Sequence, residues 1–459
     1  MKKLLAGAAL IGTAFSAQAA DMAVKAPYYK APVAAPIYDW TGFYLGVNAG
    51  LGLGRDRAQH VDGALADSTY LSPFGALGGG QIGYNWQTNS FVGPIVFGLE
   101  ADIQGADMTD SRTNLLGDRY SQKLDWFGTV RGRIGLVNGP TLTYVTGGYA
   151  YGNVNTSLVS NGVSYAFNGG RSGWTWGSGV EAALGGNWTG KIEYLYVDLG
   201  DRTDVFAGGT EALRSEYREN IFRVGLNYRI GGNGMYTPVA TANWRGFYLG
   251  GNFGSGTGRD RSTLTDTVAN VSIRYNAAPD GFVGGVQAGY NWQAGSLVYG
   301  LETDFQGSTM EDNKTCLGCM PGASLDINSK LQWFGTVRGR LGYAVGPTLF
   351  YATGGFAYGN VKTAFSNPIG AASISDTRTG WTVGAGIETP FTLLGLFGPN
   401  WTSTTEYLYV DLGRSTTSFA LLDATGAAVA PGILSRGVQE HIFRTGLNYH
   451  FNTPVVAKY

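Results

Sequence analysis

Charged residues are scarce in this sequence. Only 14% of its 459 residues are Asp, Glu, Lys or Arg, whereas about a quarter is typical of soluble proteins. We infer that something other than water covers much of the surface. Lysine plus arginine (32) nearly equals aspartate plus glutamate (33), so no broad basic field exists that would attract nucleic acid. The composition therefore predicts no nucleic-acid partner.

Long hydrophobic runs are also lacking. No internal run approaches the roughly 20 apolar residues of a transmembrane helix. The apolar residues 4–15 follow a basic start and precede a small-residue cleavage site, a pattern that predicts a signal peptide over residues 1–20 and therefore export. Residues 21–38 are rich in Pro and Ala and read as an extended leader.

Cysteine and histidine are too few to indicate a disulfide framework or a repeated catalytic set. Cys316 and Cys319 lie in a predicted surface loop without a histidine nearby, so a local loop disulfide is favoured over a redox or zinc motif. His60, His441 and His450 form no repeated triad with Ser and Asp. We expect no catalytic residue, no metal and no cofactor, and we rank a hydrolase or acyltransferase low.

Glycine, with 73 residues, and aromatic residues, at 13%, are abundant, and the chain repeats itself. Residues 126–135 return almost unchanged at 333–342, and residues 193–200 return identically at 406–413. The sequence is a tandem duplication. Each repeat divides into eight segments of alternating apolar and polar character, each about the 9 to 11 residues of a tilted membrane-crossing strand. In the first repeat they begin near Gly42, Gly75, Val92, Gln122, Thr141, Gly173, Lys191 and Asn220.

The links between these segments alternate in length. Short links such as 137–140 carry turn residues, whereas those between them, such as 55–73 and 200–218, are long and polar. Transmembrane barrels show this asymmetry between the two sides of the membrane. Along the first segment, the apolar residues share one face and the glycines the other, which predicts an inward glycine face that leaves room for long side chains. The tryptophans near segment ends are expected at the membrane interface: Trp40, Trp86, Trp174, Trp188, Trp244, Trp292, Trp381 and Trp401.

The sequence predicts an all-β protein, a transmembrane antiparallel up-and-down β-barrel. We favour sixteen strands arranged as two eight-stranded barrels, because each repeat has its own first and last strand, and a single sixteen-stranded barrel is the alternative. The expected domains are repeat 1 over 39–230, a linker over 231–242, repeat 2 over 243–451 and a tail over 452–459.

Charged residues recur on the inward faces, with four acids and three bases in each repeat. A salt-bridged plug in a narrow lumen is strongly favoured over catalysis. The salt-bridged plug is favoured less strongly over a pore lining, because in a wider barrel the same residues would line an open channel. The predicted lumen charge network is Glu100, Asp102, Arg131, Arg133, Glu181, Glu193 and Arg223, with Glu302, Asp304, Arg338, Arg340, Glu388, Glu406 and Arg444 in the second repeat.

Four motifs resemble those of a known family. They are Trp-Thr-Gly-Phe-Tyr-Leu-Gly at 40–46, Trp-Phe-Gly-Thr-Val-Arg-Gly-Arg at 126–133, Glu-Tyr-Leu-Tyr-Val-Asp-Leu-Gly at 193–200 and Phe-Arg-Val-Gly-Leu-Asn-Tyr at 222–228. Together they resemble the small outer-membrane β-barrel proteins of alphaproteobacteria, called outer-membrane immunogenic or porin-family proteins and related in architecture to OmpA and OmpX. Members usually contain one such unit and end at the last strand, whereas this chain has two units and continues past 451.

The resemblance implies an integral outer-membrane protein with an envelope-structural and surface-antigen role. It also implies outer-membrane lipid, lipopolysaccharide and the barrel-assembly machinery as partners, and it leaves the ligand of the loops open. The alternative function is a porin-like diffusion channel for small hydrophilic solutes.

Overall fold

The computed structural model describes residues 38–451, apart from 63–64, 114–116, 232–235, 237–240, 269, 321–322 and 393–396. The expected signal peptide and tail, and all of the leader except Tyr38, lie outside the described residues. Within the described residues, no helix is long and apolar enough to cross a membrane.

The first repeat forms one closed antiparallel sheet. Its strands are β1 (Gly42–Gly54), β2 (Asp56–Asp62), β3 (Leu65–Leu71), β4 (Phe74–Ser90), β5 (Gly93–Thr113), β6 (Arg119–Asn138), β7 (Thr141–Ser160), β8 (Val163–Gly185), β9 (Trp188–Phe206) and β10 (Glu211–Ile230). Eight of them follow one another around the ring, and β1 closes it by pairing with β10, Phe43 opposite Ile230. The hairpin of β2 and β3 continues the sheet beside β10.

The second repeat closes in the same way. Its strands are β11 (Gly246–Gly258), β12 (Asp260–Asp266), β13 (Val271–Ala277), β14 (Asp280–Ala294), β15 (Leu297–Ser308), β16 (Glu311–Met320), β17 (Ala323–Val345), β18 (Thr348–Asn367), β19 (Gly370–Pro390), β20 (Trp401–Leu422) and β21 (Ala428–His450). Pairing of β11 with β21 closes this ring. Between the described residues no pairing joins β10 to β11. The predicted arrangement of two eight-stranded barrels is confirmed.

An apolar belt surrounds each barrel on its outward face. Phe43, Leu45 and Val47 on β1 are 56%, 48% and 63% exposed, because period-two alternation turns them away from the lumen. The inward residues of the same strand include Gly46 and Gly50. At Gly50 an added Cβ would lie 2.9 Å from the Cα of Arg223, so this glycine lets the backbone of β10 approach closely.

Several strands are much longer than the predicted segments. The expected loop over 55–73 is mostly the hairpin of β2 and β3, and the expected loop over 200–218 is mostly the ends of β9 and β10. Those two loop predictions are wrong because polar residues alternate with buried apolar ones beyond the belt. We call these strand segments beyond the belt the outer extension. Inside it, in the first barrel, lies an apolar cluster of Ala58, Leu71, Tyr120, Leu158, Phe206 and Leu213.

Two of the tryptophans expected at the membrane interface lie inside the barrels instead. Trp40 and Trp244 are 0% exposed. Trp40 packs against Leu142 and Tyr144 at the end of the barrel that carries the short turns, which we call the turn end. Because these two tryptophans precede the first strand of their repeats, they fold back across the opening, which strand periodicity does not reveal. By contrast, Trp86 is 48% exposed on the outer face.

The two barrels contact each other through equivalent outward residues. The Tyr194 ring lies 5.8 Å from that of Phe443, and the Phe222 ring 5.1 Å from that of Tyr407. Because Tyr407 is the repeat equivalent of Tyr194, and Phe443 of Phe222, each contact is the counterpart of the other. This reciprocity is the pattern of a two-fold symmetric interface, here formed within one chain.

Candidate functional site

Strand register brings charged side chains together in the first lumen. Arg131 and Glu100 are directly opposite on β6 and β5, and Asp102 is opposite Thr129. Glu193 on β9 is likewise opposite Arg223 on β10. Opposite residues on one face of a sheet lie about 5 Å apart, so the pairing places acids beside bases. We call the resulting set of buried charges the charge layer.

Arg131 is at the centre of the charge layer in the first barrel. Its guanidinium contacts Glu100, lies 2.9 Å from Asp102 and 3.1 Å from Glu193, and Nε donates to Thr129 Oγ1 at 2.9 Å. The Arg131 side chain is 0% exposed and the three carboxylates are at most 2% exposed. These groups are therefore screened from water and compensated by one another.

A second arginine and a lysine complete the charge balance. Arg223 Nη2 lies 2.9 Å from Asp102, and its Nε donates to Glu193 at 2.6 Å. Lys191 Nζ lies 3.0 Å from Glu100. Lys191 was not among the predicted network residues; it is the fourth base and matches the four acids of this barrel. Its position two residues before Glu193 on the same strand face was the available signal.

Two tyrosines bind the part of the layer nearest the turn end. Arg133 lies 3.0 Å from Glu181, and its guanidinium carbon lies 4.7 Å from the Tyr44 ring centre and 5.2 Å from that of Tyr144. The Tyr44 hydroxyl donates to Glu100 at 2.8 Å. Cation–π contact and hydrogen bonding thus fix this arginine in place. The tyrosines were not among the predicted site residues, since an aromatic inward residue does not by itself indicate a charged partner.

The second barrel repeats the centre of this arrangement. Arg338 contacts Glu302 and lies 3.0 Å from Asp304 and 2.8 Å from Glu406. Arg444 lies 2.8 Å from both Asp304 and Glu406. All residues of the predicted network are buried in one of the two lumens.

The two charge layers differ at the turn end. Thr404 occupies the position equivalent to Lys191, so the fourth base of the first barrel is missing from the second. Glu388 lies 2.6 Å from Arg340, as its equivalent Glu181 pairs with Arg133, but it also lies 3.3 Å from Nε2 of His450. His450 is thus a partner of a buried carboxylate.

The chemistry available to the charge layers is limited. General acid–base catalysis requires a titratable group within reach of a bound substrate, but these carboxylates are enclosed and already paired with cations. Among the described residues, no group of three or more His, Cys, Asp or Glu side chains could hold a metal ion. The arrangement can fill and stiffen a lumen.

The remaining candidates lie elsewhere. His60 is in the outer extension, with Nε2 2.8 Å from Glu211, and Nδ1 of His441 lies 2.6 Å from the Tyr407 hydroxyl. The backbone of Cys316 and Cys319 belongs to β16, so the prediction of a surface loop at these residues is wrong. The side chains of both cysteines lie outside the described residues, and their disulfide stays a prediction.

A buried aspartate beyond the belt has an unusual environment. Asp260 in β12 is 1% exposed and accepts a hydrogen bond from the Gln439 N–H at 3.2 Å. Burial raises the pKa of Asp260 to about 7, against the opposing effect of Arg436. Burial also raises the pKa of Asp56, its equivalent in the first barrel, well above the usual range.

We expect Asp260→Asn to stabilise the protein more at pH 8 than at pH 4.5. An unfolded aspartate titrates near pH 4, so between about pH 4 and 7 the folded state holds a proton that the unfolded state has lost. The stability contributed by Asp260 therefore falls as pH rises through this window, whereas asparagine stays neutral. Urea midpoints of parent and variant at the two pH values measure the effect, and Asp56→Asn should behave alike. An equal difference between parent and variant at both pH values would contradict this assignment.

Comparison with known proteins shows the same duplication. A family model described as an outer membrane protein beta-barrel domain matches the chain twice, over residues 7–229 and 234–451. The 31 kDa outer-membrane immunogenic protein of Brucella melitensis is 40% identical over 224 residues, which cover 47% of this chain and 86% of that protein. The 22 kDa outer membrane protein of Rhizobium leguminosarum bv. viciae is 35% identical over 219 residues, which cover 47% of this chain and 82% of that protein. Each relative thus matches about half of this chain.

Solved structures are more distant. Neisserial surface protein A is 12% identical with a TM-score of 0.22, and the match covers 45% of this chain and 97% of that one. The TodX monoaromatic hydrocarbon channel deltaS2 mutant is 10% identical with a TM-score of 0.27, and the match covers 90% of this chain and 91% of that one. At these TM-scores, neither structure informs the function of this chain.

Proposed function

We propose that this chain, which belongs to the outer membrane protein β-barrel family and is integral to the outer membrane, is a scaffold that displays its outer extension at the cell surface and catalyses no reaction. Relatives named outer-membrane immunogenic proteins support a surface-antigen role. The proposal assigns the belt to lipid contact, the charge layers to lumen closure and the outer extension to display.

The burial of the charge layers is the main evidence for this proposal. Arg131 and Arg338 are each 1% exposed and contact three carboxylates apiece. A hydrophilic solute would have to separate buried ion pairs, which costs several kcal/mol. A fixed plug therefore favours a scaffold over the alternative, a diffusion channel for small hydrophilic solutes. The two functions differ in ion conductance.

The outer extension suits display. Its longest strand segments, such as those of β7, β8, β18 and β19, continue the membrane-crossing strands without a break, so the barrel wall positions them rigidly. The two repeats agree in the belt, where residues 193–200 and 406–413 are identical. They differ beyond it, where β9 ends at Phe206 and β20 at Leu422. The two barrels thus present different surfaces on a common frame.

The division of each barrel into an apolar belt and an outer extension also suggests its lipid and assembly partners. Outward residues such as Leu99 and Ile103, 56% and 57% exposed, would be costly to leave in water, so the proposal places the acyl chains of outer-membrane lipid against them. Lipopolysaccharide would contact the boundary between the belt and the outer extension. The barrel-assembly machinery would insert each sheet into the membrane. A sheet must close into a barrel there, because an open strand edge would leave unpaired backbone groups in lipid.

Tag insertion tests the display. A peptide tag between Asn161 and Gly162, in the turn between β7 and β8 at the outer extension, should bind antibody on intact cells. The matched control tag between Phe91 and Val92, where Phe91 is 92% exposed at the turn end, should bind antibody only after the outer membrane is permeabilised. Exposed turns tolerate insertions, so both variants should fold. The reverse labelling, or equal labelling of both tags on intact cells, would contradict the proposed orientation.

A further inference from the structure

An arginine-lined cavity of about 480 Å³ lies where the outer extensions of the two barrels meet. We call it the arginine cavity. Its volume is in the range of small-molecule sites. Its charged lining residues are Asp110 and Arg112 from the first barrel and Arg259, Arg261, Arg274 and Arg414 from the second. Five guanidinium groups thus face one carboxylate.

The single carboxylate is shared. Asp110 lies 3.4 Å from Arg112 and 3.4 Å from Arg259. In the part of the chain that the structure describes, no carboxylate lies within 4.0 Å of Arg261, Arg274 or Arg414. Burial lowers the pKa of Arg259, and the nearby charges of Arg261 and Arg112 lower it further, whereas Asp110 opposes them. The positive charge of the cavity is therefore largely uncompensated.

The equivalent position on the other side of the barrel interface is compensated. Alignment of β11 on β1 makes Arg55 the equivalent of Arg259. Arg55 contacts Asp280 and lies 3.0 Å from Asp312, and Asp312 also lies 3.1 Å from Lys314, the equivalent of Arg112. This side has two carboxylates for its cations, so neither packing nor symmetry requires an uncompensated cluster.

One residue accounts for much of this difference. Phe74 lies opposite Leu53 on β1, and Asp280 lies opposite the equivalent residue, Thr257 on β11. Phe74 therefore occupies the position of Asp280, and its ring centre lies 5.6 Å from the guanidinium carbon of Arg259. An aromatic ring here leaves the guanidinium groups free to bind an external anion.

We propose that the arginine cavity binds a ligand that carries two or more phosphate groups. Guanidinium groups donate paired hydrogen bonds that match phosphate oxygens, and several uncompensated arginines around one space favour a multiply charged anion. The same chemistry occurs in a diphosphorylated glycolipid headgroup and in a soluble polyphosphate. Either would neutralise charges that the chain itself leaves unpaired.

Calorimetry on the purified full-length protein tests the proposal with one probe for each source. Inorganic tripolyphosphate is the soluble probe. Diphosphoryl lipid A in phosphatidylcholine nanodiscs, compared with fully dephosphorylated lipid A, is the membrane probe. Binding of at least one phosphorylated probe is expected, and its affinity should fall as salt is raised. If tripolyphosphate binds, the site accepts a soluble ligand, and if only diphosphoryl lipid A binds, it takes a headgroup.

Variants locate the site. Arg261→Gln combined with Arg274→Gln should weaken binding at least tenfold and leave the fold intact, because no described carboxylate pairs with either residue. Phe74→Asp should also weaken binding, because it supplies the carboxylate present on the other side. The matched control is Arg57→Gln, the equivalent of Arg261, which should bind like the parent. Failure of the parent to bind either probe, or equal weakening by Arg57→Gln and the double variant, would overturn the proposal.

Discussion

Arg131→Ala is expected to destabilise the first barrel by about 3–5 kcal/mol, the usual loss when one partner of a buried ion pair is removed. Among the described residues, two cationic side chains, Arg131 and Arg223, each lie within 4.0 Å of Glu100, Asp102 and Glu193. Loss of Arg131 would leave three enclosed carboxylates with too little positive charge. Urea midpoints of the protein folded in lipid vesicles measure the effect.

A matched control separates the charge layer from ordinary surface pairs. Arg214 is 52% exposed and lies 2.5 Å from Asp201 in the outer extension. Exposed ion pairs contribute little, so Arg214→Ala should leave the urea midpoint unchanged. Arg338→Ala, in the second barrel, should behave like Arg131→Ala. If both buried variants kept the parent midpoint, the charge layers would be hydrated and the plug assignment would be wrong.

Gly50→Ala is expected to cost about 3 kcal/mol, at the upper end of the usual range for overpacking. The added Cβ would contact the carbonyl oxygen of Phe222 and lie 2.8 Å from the Cβ of Arg223. Backbone cannot move aside here without separating β1 from β10, whose pairing closes the barrel. The fraction of protein that stays folded in unboiled gel samples, together with the urea midpoint, measures the loss.

Gly80→Ala is the control for this prediction. Gly80 also lies in a strand paired with β1, but its added Cβ would meet only the carbonyl oxygen of Gly46, at 3.7 Å. This is an ordinary contact, so folding should be unaffected. Equal losses for Gly50→Ala and Gly80→Ala would show that any strand glycine is sensitive and that close approach at Gly50 is not the cause.

Strand periodicity was sufficient to predict which residues face the lumen. The alternation through Arg131 and Arg133 and the glycine face of β1 depend only on local sequence, and local sequence fixes the face of a strand once its register is set. The duplication predicted the second charge layer from the first. Lys191 could have been predicted by the same alternation, since it shares the face of Glu193.

Other features depend on contacts that periodicity does not contain. Phe222 and Phe443 look like lipid-facing residues in sequence, yet each packs against the other barrel, since a hydrophobic side chain suits either neighbour. Trp40 has the position of an interface residue but folds into the lumen. The sequence predicts loops in place of the outer extension, because polar strands resemble loops until their pairing partners are known. The arginine cavity combines residues from both repeats, so only the folded structure brings them together.

Ion conductance shows directly whether both lumens are closed. The parent protein should be reconstituted into planar bilayers in 1 M KCl, after its folded state is verified by its faster migration in unboiled gel samples. A sixteen-stranded porin in the same membranes serves as the positive control. With both charge layers intact, we expect no stable conductance steps above the bare membrane. Long-lived, uniform steps from the parent, absent after heat denaturation, would contradict it and establish a channel.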